Sequence, residues 1–298
     1  MPLTLNEVIK ELESQKCDYV LIDYPTSKKS IDLVVNTKKR KLVIKVSDKA
    51  KIANEELNDL KKISVLPSTT PLILTNKAEE DIVIERDGIM GVSLEGLSKI
   101  IDGQRLFIYR TRGGIFIKIN PKVLKRKRLE MGYSLGDLSK LLGVSRQAVY
   151  NYEHGNADVS IEVAEKLIEV FGEEIIGDVI QDYKVSLKEN EEDRDFDAIN
   201  STLLNKFEES GLKTFRFKKT TIDFLVEYKD KKGIIVLEAN SEAETRKKFQ
   251  EANKIAKLFK LKMLCIINKY NQPSEKEGFK VYRLEEVSEL IDEVKRDS

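Results

Sequence analysis

Between residues 134 and 171 apolar positions recur in short bursts at helical spacing, and glycines punctuate them. In the burst Ser134–Leu142, Leu138, Leu141 and Leu142 are predicted on one helical face, and Gly143 follows at the position where left-handed backbone carries no steric cost. Val144 plugs the turn, and Ser145 is a good N-cap for a helix over Arg146–His154. That helix turns Val149 and Tyr152 inward at i, i+3 spacing and leaves Arg146, Gln147, Tyr150 and Asn151 outside. Gly155 stops it, and Val159–Gly172 adds an amphipathic lid. The whole stretch 120–176 reads as five short helices.

Strand patterns dominate on either side. The first flank predicts a helix (5–16), extended runs at 19–24, 30–35 and 41–46, a helix at 49–64, strands at 71–75 and 91–93, and a helix at 94–102. The second predicts a helix (201–210), strands at 213–217, 221–226 and 234–239, a helix at 242–259, a strand at 263–267 and a closing helix at 284–294. Three local matches align the flanks: the runs around Asp32 and Asp223, those around Lys45 and Glu238, and the Leu94-Glu95 and Leu284-Glu285 helices. Their offsets of 191, 193 and 190 drift little, so the pattern reads as an internal duplication split by the helical insert. Alternating apolar runs around Arg112-Gly113-Gly114 spell a β-hairpin, with a structural role and incidental phosphate contact. The charged stretch 182–198 reads as a mobile linker.

Charge changes this picture only locally. Of 298 residues 35% are charged, yet the net charge is +1, so no global basicity announces nucleic acid. From Arg105 to Glu130, however, nine basic residues face one acidic residue, a balance of +8 beside the predicted exposed helix. Cys17 and Cys265 have no metal-ligand spacing and fit a reducing cytoplasm, and the single histidine, His154, argues against a His-based catalytic or zinc site. No cofactor or metal is called for, and no apolar run is long enough to span a membrane.

Arg, Gln and Asn at the start of an exposed helix suit a major-groove reader, because Arg forks onto guanine and Gln or Asn pairs with adenine. The run Leu142–Gly155, with Ser160–Leu167 after it, resembles the helix-turn-helix of the Cro/CI (XRE) repressor family over roughly 55 of the 298 residues. The exposed face and this resemblance together give DNA contacts from Ser134, Ser145, Arg146, Gln147, Tyr150 and Asn151, and the adjoining basic patch gives phosphate contacts from Lys125, Arg126 and Arg128. One departure matters: Leu135 stands where the family has a phosphate-bracing Gln, so that contact is lost or falls to the Ser134 hydroxyl or N–H.

Each flank resembles the αβββαβ core of PD-(D/E)XK nucleases, in which two carboxylates hold Mg²⁺ and a Lys steadies the attacking water. Asp32 and Lys45 in the first flank, and Asp223 and Glu238 in the second, match parts of that set. The first lacks the second carboxylate, and the second has Asn240 at the Lys position. The expected fold class is therefore α/β plus all-α: a central five-helix Cro/CI-type reader between two duplicated, degenerate nuclease-like domains. The boundaries read 1–104 (α/β), 105–119 (hairpin connector), 120–181 (reader), 182–198 (linker) and 199–298 (second α/β). As a whole the chain resembles archaeal HTH-type transcriptional regulators. That implies transcription control by binding double-stranded DNA, without enzymatic activity; a homodimer is expected because one recognition helix reads few base pairs, and any small-molecule effector is unspecified. The alternative is a metal-dependent, structure-specific endonuclease guided by the same reader.

Overall fold

The first turn of the chain is fixed by a capping box: the Thr4 hydroxyl accepts the Glu7 N–H, and the Glu7 carboxylate accepts the Thr4 N–H at 2.8 Å. The computed structural model describes residues 2–49, 51–183, 185, 187, 198–268 and 279–296. In chain order the first part holds α1 (Leu5–Ser14), β1 (Asp18–Leu21), β2 (Leu33–Asn36), β3 (Lys41–Val46), α2 (Asn54–Lys62) and β4 (Thr69–Leu74). β5 (Ile82–Arg86), β6 (Ile89–Val92), α3 (Leu94–Ile101), β7 (Ile108–Thr111) and β8 (Gly114–Ile117) follow. The helical insert is α4 (Pro121–Glu130), α5 (Leu135–Leu142), α6 (Arg146–His154) and α7 (Ile161–Phe171), trailed by the one-turn α8 (Val179–Asp182). The last part holds α9 (Ala198–Glu209), β9 (Lys213–Arg216), β10 (Phe224–Tyr228), β11 (Lys231–Leu237), α10 (Glu242–Phe259), β12 (Lys262–Ile267), β13 (Lys280–Arg283) and α11 (Val287–Lys295).

These elements group into two compact units. The first comprises Met1–Asp18, Asn36–Ala50 and Thr70–Val185; the second comprises Tyr19–Val35, Lys51–Thr69 and Ser186–Ser298. In the first, strands run in the order β3-β4-β6-β5-β7-β8. The β5–β6 and β7–β8 pairs are antiparallel hairpins, and the parallel pairing of β5 with β7 makes the second hairpin an extension of the sheet. That sheet edge meets the helices directly: Ile117 bridges Val159, and Ile119 bridges Ile176. Ile117 and Ile119 therefore share one buried cluster with Leu124, Leu138, Leu142, Val149, Leu167 and Phe171. The insert has four α-helices through Phe171; after Gly172 the expected fifth is a 3₁₀ turn at Glu173–Ile175, because the chain straightens at Ile176 to make its bridge.

In the second unit the sheet order is β13-β12-β11-β10-β9, parallel at β13·β12 and β12·β11 and antiparallel beyond. Its core joins Phe207 and Phe224, edge to face at 5.5 Å, with Leu290 and Ile291 of α11. Of the stretch 182–198, only 182, 183, 185, 187 and 198 belong to the described residues.

Asp59 on α2 is buried in this unit. Its Oδ2 accepts the Lys218 N–H at 2.9 Å, the Lys219 N–H and the Ser30 hydroxyl at 3.3 Å. Burial pushes its carboxyl up to about 6 from 3.8, against the pull of those donors. A raised folded-state value means the proton binds more tightly in the native protein. Asp59 thus favours folding below about pH 4, and that contribution is lost as pH rises through about 6, an effect of ~3 kcal/mol. Asp59→Asn keeps an acceptor for both N–H groups and should flatten the pH dependence of unfolding between pH 4 and 6. Equal slopes for variant and native protein in urea titrations would show that Asp59 is not the titrating group.

Candidate nucleic-acid interface

Ser134 caps α5 and binds Asp137 reciprocally. Its Oγ accepts the Asp137 N–H at 3.1 Å, while its hydroxyl and its own N–H donate to Asp137 Oδ2 at 2.6 and 3.0 Å. These bonds hold the exposed Asp137 carboxyl below its usual range. Of the two outcomes expected for the missing phosphate brace, loss or replacement by Ser134, this arrangement favours loss, since both Ser134 donors are held by a carboxylate. Leu138 and Leu142 are buried, but Leu141 is 40% exposed, so the inward face is completed by Ser139 and the partly buried Leu135 instead. Gly143 takes φ 73° and ends α5, and Lys166 donates to the Leu142 carbonyl at 3.0 Å.

Ser145 then caps α6 by accepting the Ala148 N–H at 3.0 Å. Val149 is fully buried, which fixes the rotation of the helix and turns Arg146, Gln147 and Tyr150 to solvent, with Asn151 half-buried beside them. Gln147 Nε2 donates to Asn151 Oδ1 at 3.2 Å, so the two amides are aligned one turn apart. The Tyr150 ring stacks on His154 with centroids 3.9 Å apart. One face of α6 thus carries a guanidinium, two linked amides and an aromatic plane.

The basic stretch 105–130 disperses in three dimensions. Arg110 binds Glu79 at 2.6 Å, Arg112 binds Asp87 at 3.1 Å, Lys118 binds Asp158 at 3.0 Å, and Lys127 binds Glu174 at 2.9 Å. Arg105 donates to the Ile176 carbonyl at 3.0 Å. Arg128, expected among the phosphate contacts, is 6% exposed: its Nη2 donates to Glu153 Oε2 at 2.9 Å and its Nη1 to the Tyr133 carbonyl at 2.7 Å. This correction has a clear cause, because the face of α4 bearing Arg128 packs on α6, and the pair ties those helices together. Of the expected phosphate contacts, Lys125 and Arg126 remain exposed, and Arg126 has only a loose 3.6 Å surface pair with Glu130. Lys122 and Lys140 are also exposed, and among the described residues neither is ion-paired.

Two carboxylates that the sequence reading passed over organise the site. Glu153 is the buried partner of Arg128. Asp158 accepts from Tyr109 Oη at 2.8 Å, Lys118 Nζ at 3.0 Å and the Ile119 N–H at 3.3 Å, which ties the start of the α7 segment to the hairpin. Burial and the Asp158 charge push the Tyr109 hydroxyl well above its ordinary value.

Asp32 lies 3.4 Å from Lys29, and Lys45 is buried on β3. In the second unit Asp223 accepts Lys248 Nζ at 2.7 and 2.9 Å and the Leu237 N–H at 2.7 Å, while Glu238 accepts the Asn268 N–H at 2.9 Å. Lys248, on α10, is 7% exposed, so an ammonium is buried against Asp223. Among the described residues no group of three or more His, Cys, Asp or Glu side chains could hold a metal ion. Asp223 is thus ion-paired, and no third described carboxylate stands with it and Glu238.

Comparison with known proteins bears on both parts of the chain. A PD-(D/E)XK superfamily domain model matches residues 1–106, and a helix-turn-helix model matches residues 124–176. Over 300 residues the chain is 45% identical to a Saccharolobus islandicus protein and 46% identical to one from Saccharolobus solfataricus, in each case across 98% of this chain and 96% of the relative. A Sulfolobus acidocaldarius protein is 40% identical across 98% and 99% of the two chains. All three bear the name "Putative HTH-type transcriptional regulatory protein". No solved structure matches.

Proposed function

The chain belongs to this family of archaeal HTH-type transcriptional regulatory proteins, and on that premise we propose that it is a sequence-specific DNA-binding regulator that works as a dimer. The observation that carries the reading is the outer face of α6. Arg146, Gln147, Tyr150 and Asn151 point away from a helix whose inner face is anchored by Val149 and the Arg128–Glu153 pair. In a major groove the Arg146 fork suits a guanine edge. Gln147 and Asn151 keep a free amide oxygen and N–H between them, as adenine recognition requires. Tyr150 and Ser145 flank that surface, one as an apolar plate and one as a hydroxyl beside the phosphates.

Phosphate attraction comes from fewer cations than the sequence counts, chiefly Lys122, Lys125 and Arg126. Lys125→Ala should weaken binding to all sequences alike and lower the salt slope by about one counterion. A loss confined to one sequence, with an unchanged slope, would remove Lys125 from that role. A single recognition helix reads few base pairs, so genomic specificity calls for two half-sites about one helical turn apart and hence a homodimer. Selection of bound sequences from a random duplex pool tests the whole reading at once. A palindromic consensus is expected, and enrichment of no sequence would refute sequence-specific regulation.

The flanking α/β parts serve dimerisation or sensing on this reading, with boundaries at 1–104, 105–119, 120–181, 182–198 and 199–298. A duplication is supported by parallel strand pairs that each lead into a closing helix: β4·β6 before α3, and β12·β13 before α11. The free thiols of Cys17 and Cys265 are in keeping with a cytoplasmic setting, and among the described residues no helix is long and apolar enough to cross a membrane.

The PD-(D/E)XK match at 1–106 favours a second reading, a structure-specific endonuclease. Against it, the run Val43-Ile44-Lys45 has no carboxylate where the pattern needs its second, and Lys248 is ion-paired with Asp223. Branched and duplex DNA with Mg²⁺ or Mn²⁺ should remain intact. Cleavage that Asp223→Ala or Glu238→Ala abolishes would make the protein an enzyme.

A further inference from the structure

The first unit contains a cavity of about 520 Å³ that no residue of α5 or α6 lines. Its walls come from the end of α1, the turn 36–40, the end of α3 and the segment 178–181 that closes the reader. The size falls in the range of small-molecule sites. Lys16, Lys38 and Lys39 stand exposed around it, and among the described residues none of the three is ion-paired. The acids on the same wall are Asp18, Asp102 and Asp178. Asp178 already accepts the Ile180 and Gln181 N–H groups at 2.9 and 3.2 Å, and Asp18 accepts from Asn36 at 3.3 Å.

Two further features point to an occupant. Gln15 Nε2 donates to Glu11 at 2.7 Å, but its Oε1 is buried and has no donor. A buried acceptor left so is costly, and a rotation of the Gln15 amide toward the cavity would let a ligand hydroxyl or amine satisfy it. Ile100, Ile101 and Ile180 add an apolar strip on which a planar or sugar body could rest.

The cavity is also wired to the reader. Arg40 Nη1 donates to Thr70 Oγ1 and to the Ile180 carbonyl, both at 2.8 Å. The segment beyond is bonded to the start of the reader: the Asn120 N–H donates to the Ile175 carbonyl at 2.7 Å, and the Gly177 N–H to the Lys118 carbonyl at 2.9 Å. Asn120 is itself the N-cap of α4. A ligand that pulls on 178–181 therefore acts on the backbone from which α4 begins.

We propose that this cavity is an effector site for a small organic phosphate of nucleoside-monophosphate size, and that its occupancy changes the affinity of α6 for DNA. The phosphate lies toward Lys16, Lys38 and Lys39, a ligand hydroxyl or amine donates to Gln15 Oε1, and the remainder covers the isoleucines. The regulatory half rests on the DNA-binding reading; the binding half does not.

The test uses the full chain and titrates it calorimetrically with AMP, ribose 5-phosphate and inorganic phosphate. An organic phosphate should bind about tenfold or more tighter than inorganic phosphate, and Lys38→Glu with Lys39→Glu should weaken it by about tenfold or more. Gln15→Leu, a milder change, should weaken the organic phosphates and leave inorganic phosphate alone. Saturation with the bound phosphate should shift affinity for the selected DNA about five-fold or more, and the lysine variant without ligand should bind that DNA as the native protein does. No binding by AMP or ribose 5-phosphate, equal binding by inorganic phosphate, or binding untouched by both variants overturns the site. Binding at the site with DNA affinity unchanged overturns the effector role. If no DNA sequence is selected at all, the regulator reading fails, while the titrations still decide the cavity.

Discussion

Arg128→Ala is expected to destabilise the reader by about 3–5 kcal/mol and to abolish binding to every DNA sequence, although Arg128 is buried against Glu153. The substitution leaves the Glu153 carboxylate, 2% exposed at its side chain, without its cation, and takes the guanidinium donor from the Tyr133 carbonyl. Breaking one side of a buried pair costs far more than the pair contributes, because the remaining charge is left desolvated. Thermal or urea unfolding of the full chain reads the loss directly. A double replacement, Arg128→Met with Glu153→Leu, should recover much of it by removing both charges. If Arg128→Ala unfolds like the native protein and loses only DNA affinity, Arg128 is a DNA contact after all and the brace assigned to it is wrong.

Arg146→Ala and Gln147→Ala should do the opposite. Each is expected to cost ~1–3 kcal/mol of specific affinity with no change in the unfolding midpoint, because both side chains are exposed and neither supports the core. The two are not independent of their surroundings. Gln147 is held by Asn151 at 3.2 Å, so Asn151→Ala should free the Gln147 side chain and relax discrimination at the same base step. Affinities for the selected site and for a scrambled duplex, measured at one salt concentration, separate specificity from phosphate attraction. Full operator affinity in both single variants would take α6 out of the groove.

The sequence made the reader legible because its boundaries are local. Ser134, Ser145 and Ser160 cap the starts of three helices, and Gly143 and Gly155 end two, each within a residue or two of its target. What failed was whatever depends on distant residues. The charge count from Arg105 to Glu130 was right, but the neutralising partners, Glu79, Asp87, Glu153, Asp158 and Glu174, all lie outside that window. Leu141 and Leu142 stand at +3 and +4 from Leu138, both compatible with one face, and only the packing of neighbouring helices decides that Leu141 is the exposed one.

Two strands were missed for different reasons. The β5–β6 hairpin had a readable signal in Asp87-Gly88, both with positive φ as a two-residue turn requires, but the acidic run before Ile82 masked it. β13 has only four residues, with a cation at each end, and is a strand because β12 pairs with it in parallel. Lys248 escaped notice because it reaches Asp223 from a helix 25 residues away, whereas the nuclease pattern looks for a Lys two residues past the Glu. The cavity was invisible for the same reason, since four separated segments build it.

The seam where Ile117 bridges Val159 and Ile119 bridges Ile176 has a practical outcome for anyone trimming the protein. The matched helix-turn-helix segment, 124–176, begins after both isoleucines and after the Asn120 cap. Excised at those limits, the helices would shed one wall of their own interior, strip Asp158 of its hairpin donors and turn a greasy flank to water. A piece running from Leu106 through Asp182 keeps that wall, and it is the shorter span to expect in soluble, folded form.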